Sequence, residues 1–318
     1  MTADGGPRPI VVVGPTASGK TALAIELAEI LGDAEIVSVD SMQVYRGMDI
    51  GTGKATAAEQ ARVTHHLLDI VEPSVDFSVA WFQAEARSAL DNVAARGRRA
   101  ILVGGTGLYH RAVVDDLAIP GDYPAVRAEL EAQVAGADDP EAATRALHRR
   151  LADLDPVGAA RTEPTNARRV IRALEVTIGS GRPFSSYGPG LDDYPATQHH
   201  MVGLSVDRAD MGPVIARRVR SMMAAGFLDE VRSLTATSAL SRTARQALGY
   251  RELLEHVEGR CSEDESVAAT ILRTRQYAVR QDRWFRRDPR IEWFGSTAGM
   301  DRETRSLAHL IADSLEPR

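Results

Sequence analysis

Ile10-Val-Val-Val-Gly14-Pro15-Thr16-Ala17-Ser18-Gly19-Lys20-Thr21 joins an apolar run to a complete G-x-x-x-x-G-K-[ST] loop, and Thr21–Leu31 follows with a helical pattern. Strand, Gly-rich loop and helix in this order form a phosphate cradle. The glycines permit a tight turn that aims successive backbone N–H groups inward, and the helix adds the positive end of its dipole. Of 38 basic residues only Lys20 and Lys54 are lysine. The ammonium of Lys20 reaches into such a nest where a planar guanidinium would not fit. The Thr21 hydroxyl is suited to a Mg²⁺ bridging phosphate oxygens. The loop reports a phosphate or diphosphate, and leaves open which molecule carries it.

The alternation continues beyond the loop. Glu35–Val39 reads as a strand ending at Asp40, residues 77–96 as a helix, and Arg99–Val103 as a strand entering Gly104-Gly-Thr106-Gly. This predicts a parallel sheet flanked by helices, with ligands gathered at the carboxyl ends of the strands. The fold class is α/β with a P-loop NTPase-like core. Strand signals vanish between Pro120 and Thr197, where helical patterns run through Ala125–Val134, Glu141–Leu154 and Asn166–Ile178. Residues 120–198 are therefore expected to form a helical insertion in a core of residues 1–119 and 199–318. His199–Val206 reads as a further strand, helices dominate to Arg287, and Ile291–Phe294 reads as a last short strand.

Length and composition narrow the class. With 318 residues, 44% of them hydrophobic, the chain can bury an α/β core and one additional lobe. No basic flank and apolar stretch open the chain, and no run is long enough to span a bilayer. Cys261 stands alone, which excludes an internal disulfide and a multi-cysteine zinc site. A cytoplasmic protein is expected. The net charge of −6 hides local basic clusters: seven arginines against two acids between Arg273 and Arg290, and smaller groups at Arg168-Arg169…Arg172 and Arg217-Arg218…Arg220. They suggest a polyanion surface, with solvated helix faces as the alternative. On the helix after Asp264, positions 273, 276, 280, 283 and 287 share one face, either a phosphate rail or a wet side.

Asp40, after a strand, suits a general base or a water-mediated metal contact, the alternative being a turn-capping aspartate. The strand ending at Val103 runs into glycine where an NTPase would carry a metal-binding acid, which weakens an ATPase reading. Thr106 offers a hydroxyl in a turn that a ligand can approach closely. His65-His66, adjacent on an extended segment, point to opposite faces and suit local hydrogen bonds better than a shared metal.

Together these residues resemble the tRNA dimethylallyltransferase (isopentenyltransferase) family of bacterial type. The matching segments are Gly14–Thr21, Ser38-Val-Asp-Ser-Met-Gln-Val-Tyr-Arg-Gly-Met-Asp-Ile-Gly-Thr52 with Lys54, His66-Leu-Leu-Asp-Ile70, Leu102-Val-Gly-Gly-Thr-Gly-Leu-Tyr109, Arg172-Ala-Leu-Glu-Val176, Gly249-Tyr-Arg-Glu252 and Thr274-Arg-Gln-Tyr-Ala278. The resemblance implies transfer of a dimethylallyl group from dimethylallyl diphosphate to the N6 amine of the adenine just 3′ of a tRNA anticodon. Gly14–Thr21 would then hold the diphosphate, with Mg²⁺ near Thr21. Asp40 would act as base, Thr106 beside the reacting centre, and Lys20 and Arg218 would neutralise the leaving diphosphate. The adenine would leave its stack and enter a channel between core and insertion. The resemblance places tRNA contacts on Asp40, Ser41, Met42, Gln43, Thr106, Arg127, Arg168, Arg169, Arg172, Arg245, Gln246, Gly249 and Tyr250. The anticodon stem-loop and dimethylallyl diphosphate are the expected partners, with no membrane and no second copy of the chain. Val214, Val279 and Gly53 stand where the family commonly carries arginine, lysine and alanine. Rival readings are a P-loop kinase, a prenyltransferase acting on free adenylate, and a non-catalytic RNA-binding protein.

Overall fold

The computed structural model describes residues 6–237, 239–296 and 301–315. Its first half alternates strand and helix: β1 (Ile10–Val13), α1 (Lys20–Leu31), β2 (Ala34–Ser38), α2 (Ala57–Arg62), β3 (His65–His66), α3 (Val79–Ala95), β4 (Arg99–Val103) and α4 (Gly107–Val114). Four helices follow, α5 (Pro124–Ala135), α6 (Pro140–Leu154), α7 (Pro156–Ala160) and α8 (Ala167–Ser180), then a 3₁₀ turn at Phe184–Tyr187. The chain closes with β5 (His200–Ser205), α9 (Arg208–Ala224), α10 (Phe227–Thr237), α11 (Arg242–Arg245), α12 (Tyr250–Val257), α13 (Glu263–Phe285), β6 (Glu292–Gly295) and α14 (Asp301–Leu315).

The strands form one sheet in the order β3-β2-β4-β1-β5-β6, and every pairing is parallel. β1 and β2 are buried along their whole length, because a parallel sheet covered on both faces needs continuous apolar runs. Side chains alternate between two layers. Val11, Val13, Val37 and Leu102 pack with Phe82 and Val93 of α3, whereas Ile10, Val12, Ile36 and Ile101 pack with Leu23 and Leu27 of α1 and Ile311 of α14. β3 is a two-residue edge strand. His65 Nδ1 meets the Val63 carbonyl at 2.8 Å and His66 Nε2 meets Glu35 at 2.6 Å, so both histidines are engaged locally.

The chain divides into two compact units, residues 1–115 with 195–318, and residues 116–194. The second unit is helical, with Leu130, Leu147, Leu151, Val170 and Leu174 in its core. Glu175, fully buried there, accepts from Tyr123 N at 2.8 Å, Arg127 Nε at 2.9 Å and Arg172 Nη1 at 3.0 Å. Among the described residues no helix is long and apolar enough to cross a membrane.

Candidate active site

Neighbouring order in the sheet explains why residues distant in sequence meet. β2, β4 and β1 are adjacent and parallel, so the turns after them leave the same edge. Gly14 starts the first turn with φ 148°, and a Cβ there would lie 2.5 Å from the Leu204 carbonyl oxygen of β5. Only glycine fits that approach. Gly19 ends the turn, and α1 begins with neither a side-chain cap nor an acid in its first turn. The backbone N–H groups of Ala17, Ser18, Gly19, Lys20 and Thr21 find no acceptor among the described residues. An uncapped first turn that holds a lysine and no acid favours an anion.

Lys20 Nζ curls over the loop and donates to the Pro15 carbonyl at 2.7 Å. Burial, and next the charge of Arg218, lower its ammonium to about 7 against an opposing pull from Asp40. Asp40 sits at the end of β2. Its Oδ1 accepts from Met42 N at 2.8 Å and Gln43 N at 3.4 Å, while Oδ2 accepts no hydrogen bond among the described residues. Burial raises this carboxyl above its ordinary value, although the two N–H groups and the charges of Lys20 and Arg218 pull the other way. Asp40 is therefore both a turn cap, through one oxygen, and a carboxylate with a free oxygen.

Thr106 joins this group from the turn after β4. Its Oγ1 accepts from Ser41 N at 3.2 Å and lies 3.5 Å from the Ser41 hydroxyl. Arg218 reaches in from α9, and its guanidinium is lowered by burial. A Cβ on Gly53, whose φ is +61°, would lie 2.0 Å from Arg218 Nη2. The glycine that departs from the family pattern thus leaves the space the guanidinium fills. Val279, another departure, packs with Met211 and Ile215 of α9. No contact in the structure explains Val214.

Several residues expected to meet RNA are engaged within the chain. The Gln43 amide accepts from Ser38 Oγ at 2.8 Å and donates to the Gly53 carbonyl at 3.2 Å, so it braces the 43–53 loop. Tyr250 is fully buried against Phe227, and its hydroxyl donates to Glu230 at 2.5 Å. Glu230 in turn accepts the N–H groups of Asp49, Ile50 and Gly51 at 3.0, 2.7 and 3.2 Å. Tyr250 is thus a support for that loop and presents no ring for stacking; Gly249 beside it is buried too. Met42 is half-buried against the core. Lys54 is a buried clip, paired to Asp49 and Asp69 at 2.6 Å each.

The arginines fall into two kinds. In the helical unit Arg127 and Arg172 are tied to Glu175 and to Asp122, whereas Arg168 and Arg169 are exposed. In the α/β unit Arg245 pairs with Glu258 and Gln246 is exposed. On α13 Arg273 is held by Glu252 at 2.6 Å, and Arg280 lies over the Tyr277 ring, 5.7 Å from its centroid.

Sequence reasoning missed three residues of this site. Tyr277, half-buried with its hydroxyl beside Thr106 and Gln281, has that hydroxyl pushed up to about 12, chiefly by burial and then by the Asp40 charge. Gln281 bonds two of the strand-end turns, and Glu230 gathers the loop beside them. No local motif marks Gln281 or Glu230, whose partners lie on other segments.

Comparison with known proteins adds independent findings. Residues 43–288 match the family model described as IPP transferase. A tRNA dimethylallyltransferase of Streptomyces avermitilis is 47% identical over 96% of each chain, and one of Acidothermus cellulolyticus is 48% identical over 90% of this chain and 88% of its own. The solved tRNA isopentenylpyrophosphate transferase of Bacillus halodurans superposes with a TM-score of 0.69 at 38% identity, covering 97% of this chain and 96% of its own. A eukaryotic dimethylallyltransferase, 23% identical with a TM-score of 0.73 over 96% of this chain and 80% of its own, shares the fold.

Proposed function

The chain belongs to the IPP transferase family and is a prenyltransferase of tRNA, and from that premise we propose which reaction its residues carry out. A dimethylallyl group moves from dimethylallyl diphosphate to the N6 amine of the adenine 3′ to the anticodon. The C1–oxygen bond of the donor breaks, the N6–C1 bond forms, the N6 proton passes to Asp40 Oδ2, and diphosphate leaves. The observation that carries this reading is the grouping of one partly free carboxylate with Lys20, Arg218 and an uncapped Gly-rich loop. An adenine amine is a poor nucleophile, so positioning and stabilisation of the leaving group must supply most of the rate. The N–H groups from Ala17 to Thr21, with Lys20 and Arg218, would receive the charge that builds on the diphosphate.

Mg²⁺ fits these residues in one way only. Among the described residues no group of three or more His, Cys, Asp or Glu is arranged to hold a metal. Magnesium keeps several of its waters and is held largely through substrate phosphates, and at a loop of this kind a Ser or Thr hydroxyl can serve as a protein ligand. Thr21, in the first turn of α1, would supply that hydroxyl, and the ion would add positive charge at the leaving group.

We further propose that the anticodon stem-loop is bound by exposed arginines, with Arg168, Arg169 and Arg245 as contacts. Arg127 and Arg172 are positioned by Glu175, and they would contact phosphate through N–H groups left over. Reaction in the cytoplasm as a monomer completes the reading. Incubation with tRNA and either labelled dimethylallyl diphosphate or γ-labelled ATP tests it. Label on tRNA from the prenyl donor is expected; label from ATP alone would establish a kinase.

A further inference from the structure

Gln281 lies on α13 and is 6% exposed. Its side-chain amide is divided between two turns at the sheet edge. Oε1 accepts the Thr16 N–H at 2.8 Å, and Nε2 donates to the Gly105 carbonyl at 2.8 Å. Tyr277, one helical turn earlier, has its hydroxyl beside the Gln281 side chain.

The consequence falls on the phosphate loop. In such a loop successive N–H groups converge on the anion, and a donor already engaged is lost from the nest. The N–H groups from Ala17 to Thr21 are without an acceptor among the described residues, whereas that of Thr16 is taken. The cradle is thereby shortened at its upstream edge. The Gln281 oxygen also places partial negative charge there.

We propose that Gln281 determines specificity by restricting the loop to diphosphates, since it occupies the Thr16 N–H that a third phosphate would need. The inference rests on the diphosphate reading of the loop. Two phosphate groups are served by the five remaining N–H groups, Lys20 and Arg218, with no competition from Gln281. A triphosphate must either break the Thr16–Gln281 bond or set its own oxygens against the amide oxygen. The first course strands a buried acceptor and the second adds repulsion, and each weakens binding by about tenfold. Nucleoside triphosphates share the loop's anion chemistry, so this selection keeps the site for the prenyl donor.

The test measures binding of inorganic diphosphate, tripolyphosphate and ATP to the full-length protein by calorimetry, in the wild type and in Gln281→Met and Gln281→Glu. Methionine keeps the length of the side chain and releases the Thr16 N–H. Tripolyphosphate affinity is then expected to rise about tenfold, with diphosphate affinity held within about threefold. Glutamate retains an acceptor on Thr16 and is expected to preserve or widen the preference for diphosphate. A gain of affinity for the longer anion is not a result that a loosened fold produces. An unchanged ratio in Gln281→Met overturns the proposal, as does a wild type that binds both anions equally. Should Gln281→Met not fold, loss of the preference in Gln281→Glu overturns it. Dimethylallyl transfer measured on the same wild-type protein separates the two ideas: failed transfer strikes the diphosphate reading, whereas transfer with an unaltered ratio strikes only the role of Gln281.

Discussion

Thr106 Oγ1 accepts the backbone N–H of Ser41 at 3.2 Å, so the turn after β4 is fastened to the segment that carries Asp40. Both turns are at neighbouring strand ends, and this bond sets how far apart they stand. Replacing Thr106 by valine keeps the shape and removes the acceptor. We expect kcat for dimethylallyl transfer to fall by about 10–100-fold, since small misplacements of a reacting group are costly. Thr106→Ser should restore most of it. Equal losses in both variants would show that the hydroxyl is not what matters.

Lys20 is expected to take up a proton when the donor binds. Its ammonium is lowered to about 7 by burial and by Arg218, so near pH 8 the free protein holds it mostly neutral. A bound diphosphate favours the charged form and raises that value. Affinity is therefore highest below pH 7 on the Lys20 side and falls as pH rises from 7 toward the raised value. Calorimetry at pH 8 in buffers of different ionisation enthalpy should report net proton uptake, which Lys20→Met should abolish.

Glu35 offers a test of the scaffold that leaves the site alone. Burial pushes its carboxyl up, but bonds from His66, Arg96 and Arg98 outweigh that and hold it at about 2, below an ordinary value of 4.5. The unfolded chain thus binds more protons between these values. The stabilisation is complete above pH 4.5 and is lost as pH falls toward 2. Arg96 and Arg98 are 47% and 41% exposed, so screening reduces the contribution to about 2 kcal/mol. Urea unfolding should show Glu35→Gln less stable by about that amount at pH 7, with a shallower acid dependence than the wild type.

The helical unit has a comparable keystone in Glu175, which is fully buried and holds Arg127, Arg172 and Tyr123 N. Glu175→Ala removes the buried partner of two guanidinium groups, leaving them only the exposed Asp122, and should destabilise the protein by about 3 kcal/mol. Proteolysis should then cut first within residues 116–194. First cleavage elsewhere would contradict this account of the unit.

The phosphate loop was legible because its chemistry is local: the glycines, Lys20 and Thr21 sit within one strand–turn–helix. Asp40 and Thr106 were legible as polar residues at the ends of apolar runs, and parallel pairing carried them to one edge. Gln281 was not, because its partner Thr16 is 265 residues away and only the packing of α13 joins them. The burial of Tyr250 was not legible for a related reason, since it depends on Phe227 and Glu230, which come from another helix. Nor was the pairing of Arg127 and Arg172 with Glu175, which only the packing of α5 and α8 brings about. Strand ends are written in local pattern, whereas the partners of side chains are written in tertiary structure.

Single-turnover transfer from dimethylallyl diphosphate to an anticodon stem-loop, with mass analysis of the nucleosides, is the decisive measurement for Asp40 as base. The wild type should yield adenosine prenylated at N6. Asp40→Asn, which keeps the acceptor for Met42 N, should bind the stem-loop within about threefold of wild type and transfer about 10²–10⁴-fold more slowly. Transfer by Asp40→Asn at the wild-type rate would contradict the account.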